Sequence, residues 1–135
     1  MQIKYKVNEQ ISTEQFIQLL KDSGLGERRP IDNVECMKGM VDNSNLMVTA
    51  WHDHTLVGIA RSMTDFHYAC YLSDLAVHKD YQKQGIGKQL QIVTQEQLET
   101  PCKLILIASP FANEYYKPLG YENNPRCWVL SSKLK

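Results

Sequence analysis

The sequence lacks the features that direct a protein to a charged or an apolar partner. Its 135 residues carry 15 Lys and Arg against 15 Asp and Glu, so the formal net charge is zero. A neutral chain has no overall field that draws it to nucleic acid or to an anionic membrane, and any phosphate site must be local. No stretch approaches the ~20 apolar residues of a membrane span, and the first residues hold no apolar signal core. We therefore expect a cytoplasmic protein with neither nucleic-acid nor membrane partners.

Cysteine is also sparse, and its spacing argues against the common cysteine-based sites. The four cysteines are scattered with no C-x-x-C pair, at Cys36, Cys70, Cys102 and Cys127. This spacing predicts buried free thiols rather than a disulfide framework or a zinc site. His52 and His54 flank Asp53 in a predicted hairpin with no further ligand nearby in sequence, which favours a solvated turn. No metal is expected.

What the chain does have is the size and balance of one ordinary domain. Hydrophobic residues make up 43% of it and charged residues 22%, which is typical of a globular protein. A chain of this length buries one continuous core but not two. We therefore predict a single domain over residues 1–135 with one functional site.

Hydrophobic patterning predicts an α/β order of elements, β-α-α-β-β-β-α-β-α-β. Helices are predicted where apolar residues recur at helical spacing between caps and breakers, over residues 12–24, 33–41, 85–100 and 110–119. Strands are predicted from alternating or continuous apolar runs, over residues 3–7, 46–51, 56–61, 69–77, 104–108 and 127–130. The nearly all-apolar run 104–108 is expected to be covered on both faces.

The informative segment is the polar turn that joins the strand 69–77 to the helix beginning at Gly85. Gly85 and Gly87 lack a Cβ, so a ligand can approach the main chain closely. The N–H groups of the helix's first turn point outward at its positive dipole end. This environment suits a pyrophosphate.

Two common phosphate-binding motifs do not account for this turn. The dinucleotide fingerprint G-x-G-x-x-G fails because Leu90 stands at its third glycine. The P-loop fails because Gly85-Ile86-Gly87-Lys88-Gln89 lacks both its spacing and its hydroxyl.

Instead, Gln82-Lys83-Gln84-Gly85-Ile86-Gly87 resembles the Q/R-x-x-G-x-G/A signature of the GCN5-related N-acetyltransferases (GNAT family), and it follows a strand and opens a helix as in that family. A second segment, residues 109–121, resembles the family's N-x-x-A-x-x-F/Y-Y-x-x-x-G-F/Y pattern. Its matching residues are Ala112, Tyr115, Tyr116, Gly120 and Tyr121. Ser109 stands where the family usually has Asn, and Asn113 is an alternative for that side-chain contact. Residues 1–70 match only in layout.

The resemblance implies a mixed, mostly antiparallel central sheet with helices on both faces and a splayed strand pair. It also implies acetyl-CoA as co-substrate, with the pantetheine arm on a strand and the pyrophosphate on the glycine turn. The residues implied in binding it are Leu75, Ala76, Val77, Gln82, Lys83, Gln84, Gly85, Ile86, Gly87, Lys88, Ser109 and Asn113. Similar proteins commonly form homodimers, although the sequence shows no interface.

The resemblance further implies direct acetyl transfer to a primary amine of a small molecule or a peptide. Tyr116 aligns with the tyrosine that commonly serves as general acid, and a phenol with a pKa of ~10 keeps its proton at neutral pH; the alternative for Tyr116 is a core tyrosine. Tyr71 and Ser73 stand at alternate strand positions where the family often has acidic or imidazole side chains. We expect them to hold a water chain that carries the amine's proton away. Asp74, expected on the other face, is the alternative base, with a structural role favoured.

Two sets of residues are candidates for acceptor binding. The charged set would bind a cationic amine through acidic side chains or an anionic group through basic ones, and is Glu27, Asp32, Glu35, Arg28 and Arg29; a solvated loop is the competing interpretation. The aromatic set would form either a pocket or core, and is Trp51, Phe66, Tyr68 and Tyr71. The alternative function is a non-catalytic acyl-CoA sensor or regulatory subunit, which would keep the glycine turn without an active acceptor site.

Overall fold

The apolar runs form strands that lie side by side in chain order in a computed structural model, which describes residues 2–134. Within that range the strands are β1 (Ile3–Val7), β2 (Leu46–His52), β3 (Thr55–Thr64), β4 (Ala69–Val77) and β5 (Lys103–Ile105). Neighbouring strands pair antiparallel except β4 and β5, which are parallel. The predicted α/β fold with a mixed, mostly antiparallel sheet is confirmed.

The helices of the described residues are α1 (Thr13–Ser23), α2 (Val34–Asp42), α3 (Ile86–Glu96) and α4 (Asn113–Tyr116). The first begins where the sequence predicts it, because Ser12 Oγ accepts from Gln15 N at 3.0 Å and Gln15 Oε1 accepts from Ser12 N at 2.9 Å. This reciprocal capping satisfies two otherwise free amides of the first turn. The helix ends at Gly24, whose φ of +88° is the left-handed conformation that glycine adopts without strain.

Helices cover both faces of the sheet, as expected. Phe16 and Leu20 of α1 and Met37 of α2 are buried against one face. Ile86 and Leu90 of α3 are buried against the other. The core therefore has two apolar layers with the sheet between them.

The last two strands diverge soon after they meet, which is the predicted splay. Ala69–Tyr71 of β4 pairs with Lys103–Ile105 of β5, and the pairing stops there. The strand predicted over residues 104–108 is therefore too long. Its expected double cover is also wrong, because Ile105 and Ile107 are 46% and 54% exposed.

Three other predicted elements differ from the structure. The strand predicted at residues 127–130 is wrong: the segment pairs with no strand of the described chain, and Trp128 is 89% exposed. An apolar run becomes a strand only against a partner edge. The helix predicted over 85–100 ends at Glu96. The helix predicted over 110–119 is α4 flanked by two 3₁₀ turns, each with a proline in its first positions, and it ends at Gly120 as expected.

Two side-chain expectations also need correction. All four cysteines are free, but Cys36 and Cys127 are exposed and Cys70 is buried, so burial was predicted for too many. His52 is not simply a turn residue, because its Nδ1 lies 2.7 Å from the hydroxyl of Tyr81.

Among residues 2–134, no helix combines the length and apolar character that crossing a membrane demands. The same part of the chain contains no group of three or more His, Cys, Asp or Glu placed to hold a metal ion.

Candidate active site

The splay leaves one edge of β4 open along its second half. His78 N donates to Val57 O of β3 at 2.8 Å. Because successive residues of a strand direct their main-chain groups to opposite edges, Ala76 also faces β3, whereas Leu75 and Val77 face the open side. The sequence treated all three as equivalent. The main-chain groups of Ala76 instead face β3 within the sheet, and those of Leu75 and Val77 form the open edge.

The turn after β4 is tied down by one side chain. Gln82 Nε2 donates to Val77 O at 2.8 Å and lies 3.4 Å from Ser23 O at the end of α1. Lys83 and Gly85 then take left-handed φ values of +63° and +84°. These contacts bend the chain sharply from β4 into α3, and Gln82 acts on the turn by positioning it.

The amino terminus of α3 has free amides. Gly85 precedes the helix and provides no side-chain cap. The first intrahelical bond is Gln89 N to Gly85 O at 3.0 Å, so the amides of Ile86, Gly87 and Lys88 have no acceptor within the helix. A diphosphate fits such an end, and the exposed side chains beside it are those of Lys83, Gln84 and Lys88.

Gly87 packs closely against the α4 region. A Cβ at this position would lie 3.2 Å from the Tyr115 hydroxyl. That hydroxyl is 3.2 Å from Gln91 Nε2, and Tyr121 donates to Gln91 Oε1 at 2.7 Å. Gln91 therefore fastens the α4 region to α3. Sequence reasoning missed it, although a glutamine one position from Leu90 on the apolar side of an amphipathic helix is a usable signal.

Tyr116 lies between two other tyrosines. Its ring centroid is 5.0 Å from that of Tyr115 and 5.3 Å from that of Tyr121, both in edge-to-face geometry. Burial, and secondarily the neighbouring Tyr115, raises the pKa of Tyr116 above its ordinary value. Its hydroxyl makes no hydrogen bond to any described residue. Tyr116 is therefore a protonated donor without a partner in residues 2–134.

A small cleft of about 260 Å³ opens where β4 and the segment after β5 separate. It brings together five predicted site residues, namely Tyr71, Ser73, Leu75, Ser109 and Tyr116. A wider groove of about 1360 Å³ lies on the α3 side and includes Lys88 and Asn113. Tyr116 lines both, whereas Ser109 and Asn113 are divided between them. The two candidates for one pantetheine contact thus lie on different sides of Tyr116.

A β-bulge overturns the predicted facing of the residues in β4. Arg61 pairs with Asp74, but Ser62 pairs with Leu72, so Ser73 has no partner in β3. Downstream, Met63 pairs with Tyr71. Because Arg61 and Met63 share a face, Asp74 and Tyr71 share it too. The expectation that Asp74 faces away from Tyr71 is wrong.

Asp74 is buried between two arginines. Its Oδ1 accepts from Arg29 Nε at 2.6 Å and its Oδ2 accepts from Arg61 Nε. Its side chain is 0% exposed. Both oxygens are engaged and the side chain has no solvent access, which is the environment of a structural carboxylate.

The same two arginines position Ser73. Arg61 donates to Ser73 Oγ at 2.9 Å, and Arg29 donates to Ser73 O at 2.9 Å. The Ser73 hydroxyl therefore accepts from a cation and keeps its own proton for a further acceptor.

The candidate acceptor residues lie in different parts of the structure, and only some of them line the small cleft. Of the aromatic set, Tyr71 lines the small cleft, whereas Trp51 is core and donates to Thr49 Oγ1 at 2.7 Å. Tyr68 lines the wider groove and is 69% exposed. Of the charged set, Arg28 and Arg29 line the cleft, and the three acidic residues do not.

Residues 8–126 match the family model described as the acetyltransferase (GNAT) domain. The chain belongs to the GNAT family. It is 32% identical over 130 residues to a protein named uncharacterized N-acetyltransferase ycf52 from Gracilaria tenuistipitata var. liui, covering 88% of this chain and 70% of that protein. The chain spans about two thirds of the length of the curated relatives that it matches.

Solved GNAT structures share the fold. The acetyltransferase SP0256 of Streptococcus pneumoniae TIGR4 gives a TM-score of 0.74 at 20% identity, covering 97% of this chain and 100% of that one. AAC(6')-Iy, solved with the bisubstrate analogue CoA-S-monomethyl-acetylneamine, gives 0.73 at 16% identity, covering 99% and 100%. Family, fold and enzyme class, an acetyl-CoA-dependent N-acetyltransferase, are thus as the sequence predicted.

Proposed function

We propose that the chain transfers the acetyl group of acetyl-CoA directly to a primary amine, with Tyr116 as general acid. One observation carries the proposal: Tyr116 lines both the small cleft and the wider groove, and its hydroxyl makes no hydrogen bond to residues 2–134. A coenzyme held along the open edge of β4 would bring its sulfur toward this junction. A protonated phenol there can give its proton to the departing thiolate.

The coenzyme fits two sets of main-chain donors in this chain. Leu75 and Val77 present groups at the open edge of β4, which an extended pantetheine arm can join as an added strand would. The free amides of Ile86, Gly87 and Lys88 suit its pyrophosphate, and the Lys83 and Lys88 side chains add positive charge. One side-chain contact to the arm would come from Ser109 if the arm runs along the cleft, or from Asn113 if it runs along the groove.

The amine's proton needs a route to solvent. Ser73 Oγ accepts from Arg61, and a cation at that distance makes the hydroxyl a relay rather than a base. Tyr71, 38% exposed, lines the same cleft. We therefore assign Tyr71 and Ser73 to a water chain that conducts the proton outward. The fold's main contribution is to hold both substrates in line, which replaces a bimolecular encounter.

The proposal is tested by two measurements on the same protein. Calorimetric titration with acetyl-CoA measures coenzyme binding, and a thiol-release assay measures transfer to polyamines, arylalkylamines, aminoglycosides, amino acids and peptides. We expect coenzyme binding together with thiol release on at least one amine. Binding without release on any amine would contradict the proposal and favour a sensor.

Four further expectations from the sequence stay predictions. They are a single domain, a cytoplasmic location, homodimer formation, and the lack of nucleic-acid and membrane partners.

A further inference from the structure

Among residues 2–134, the charged side chains that line the small cleft are all basic, although the formal net charge of the chain is zero. The cleft lining includes Arg28 and Arg29, and no Asp or Glu among residues 2–134. Lysines and acidic residues elsewhere balance the total to zero. The positive character is thus a property of this cleft.

Arg29 and Arg28 play different parts in it. Arg29 is anchored by its bonds to Asp74 and Ser73, and its Nη1 donates to the main-chain oxygen of Arg28 at 2.9 Å. The backbone of Arg28 is therefore held in place. Its exposed guanidinium, in contrast, makes no hydrogen bond or ion pair to the described residues. Arg28 thus has a fixed backbone and an exposed cationic side chain at the cleft, and this side chain has no partner in residues 2–134.

The charges behind the cleft do not cancel. Arg29 and Arg61 share the single carboxylate of Asp74, which leaves one positive charge in excess, and Arg28 adds a second. Such a field attracts an anionic group and repels an ammonium group that is not the reacting one. A polycationic acceptor would meet this repulsion, and no acidic side chain of residues 2–134 lines the cleft to offset it.

We propose that the acceptor is a small primary amine that also carries a carboxylate, and that Arg28 binds this carboxylate. A guanidinium offers paired donors that match the two oxygens of a carboxylate. The cleft volume of about 260 Å³, which the acceptor would share with the pantetheine arm at Leu75 and Ser109, lies below the ~300–1,000 Å³ of typical ligand pockets, which favours an acceptor no larger than an amino acid. The assignment rests on the proposed function, because it names the acceptor of that site.

The test is a binding measurement on the CoA-loaded protein. Free L-amino acids are titrated alongside their own carboxamides, which keep the size and the amine but remove the negative charge. We expect at least one amino acid to bind about tenfold to one-hundredfold tighter than its carboxamide, the range for a charge-assisted hydrogen bond. Amino acids that bind no better than their carboxamides would overturn the inference.

Matched variants assign the effect to one side chain. Arg28→Gln should abolish the preference, whereas Arg126→Gln, an exposed arginine outside the cleft lining, should preserve it. Arg28→Glu should turn the preference toward diamines. A preference that survives Arg28→Gln would overturn the assignment, and so would a variant that loses coenzyme affinity instead, since Arg28 would then serve the coenzyme phosphates.

The failure of this inference and that of the proposed function give different results. Carboxylate-dependent binding without thiol release on any amine contradicts the transferase proposal and leaves the anion site standing. Thiol release on diamines with none on amino acids overturns the anion site and leaves the transferase standing.

Discussion

Arg29, from the segment between α1 and α2, donates through Nε to Oδ1 of Asp74 in the middle of β4 at 2.6 Å. Arg61 of β3 occupies the other oxygen of the same carboxylate. One buried aspartate thus joins the segment between α1 and α2, the sheet and the bulge at Ser73. The shape of the small cleft depends on this ion pair network.

Replacing Asp74 by Asn should lower the free energy of unfolding by about 3–5 kcal/mol, because it leaves two arginines facing each other with no compensating charge. Urea denaturation measures the change. Asp42→Asn, which removes an exposed pair with Lys38, should change stability little. Lost turnover at unchanged stability would instead make Asp74 a catalytic base.

Replacing Tyr116 by Phe should lower kcat by about a hundredfold or more while leaving KM for acetyl-CoA nearly unchanged. The ring still packs against Tyr115 and Tyr121, so the loss is that of the proton donor. Tyr115→Phe is the matched control, because it removes a neighbouring hydroxyl whose partner is Gln91. Equal turnover in wild type and Tyr116→Phe would remove Tyr116 from the mechanism.

The pH dependence of kcat gives a second test of Tyr116. Burial raises its pKa, so its proton is retained to a higher pH than in a free phenol. The alkaline decline in kcat that comes from losing this acid should therefore lie above pH ~10 and not below it. The Tyr116→Phe protein should lack that decline. An identical decline in the variant would assign it to another group.

The elements that sequence reasoning found are those with local causes. The cap at Ser12, the left-handed Gly24 and the turn from β4 into α3 each depend on residues a few positions apart. The segments it misjudged depend on distant partners. Residues 127–130 have the apolar pattern of a strand, but a strand needs an edge that no pattern in the segment specifies. The length of β5 depends likewise on where β4 leaves it.

The candidate site shows the same division. The glycine turn and Tyr116 were predicted as candidates because their residue types and spacing are distinctive. The bulge at Ser73 was not, because strand alternation is read on the assumption of unbroken pairing, and one extra residue reverses every later side chain. Sequence reasoning also could not single out Arg28 among the five charged acceptor candidates. Which of these side chains line the cleft depends on how the segment between α1 and α2 meets β4.

The water chain assigned to Tyr71 and Ser73 is tested by a double variant, Tyr71→Phe with Ser73→Ala. Both residues line the cleft, so removal of their hydroxyls should slow turnover and shift the acid limb of kcat/KM, since the amine's proton loses its relay. Coenzyme affinity should stay the same. Ser109→Ala, in the same cleft but assigned to the coenzyme, is the comparison. An unaltered pH–rate profile in the double variant would argue against the relay.

Gly85 and Gly24 provide a controlled test of the pyrophosphate site. Both have left-handed φ, of +84° and +88°, and a Cβ at either would meet no atom within 4 Å. Alanine at each position should therefore cost a similar ~1–2 kcal/mol of backbone strain. Only Gly85→Ala also shifts the chain that leads into the free amides of α3.

We thus expect the two glycine variants to lose similar stability but to differ in coenzyme binding. Gly85→Ala should raise the calorimetric Kd for acetyl-CoA by about tenfold or more, the value of one charge-assisted hydrogen bond, and Gly24→Ala should leave it close to wild type. Desulfo-CoA, which retains the pyrophosphate but lacks the thiol, should show the same difference, because the loss lies at the pyrophosphate and not at the sulfur. If both variants bound the coenzyme equally well, the amides of α3 would not be its phosphate site. The coenzyme would then have to be bound by the open edge of β4 alone.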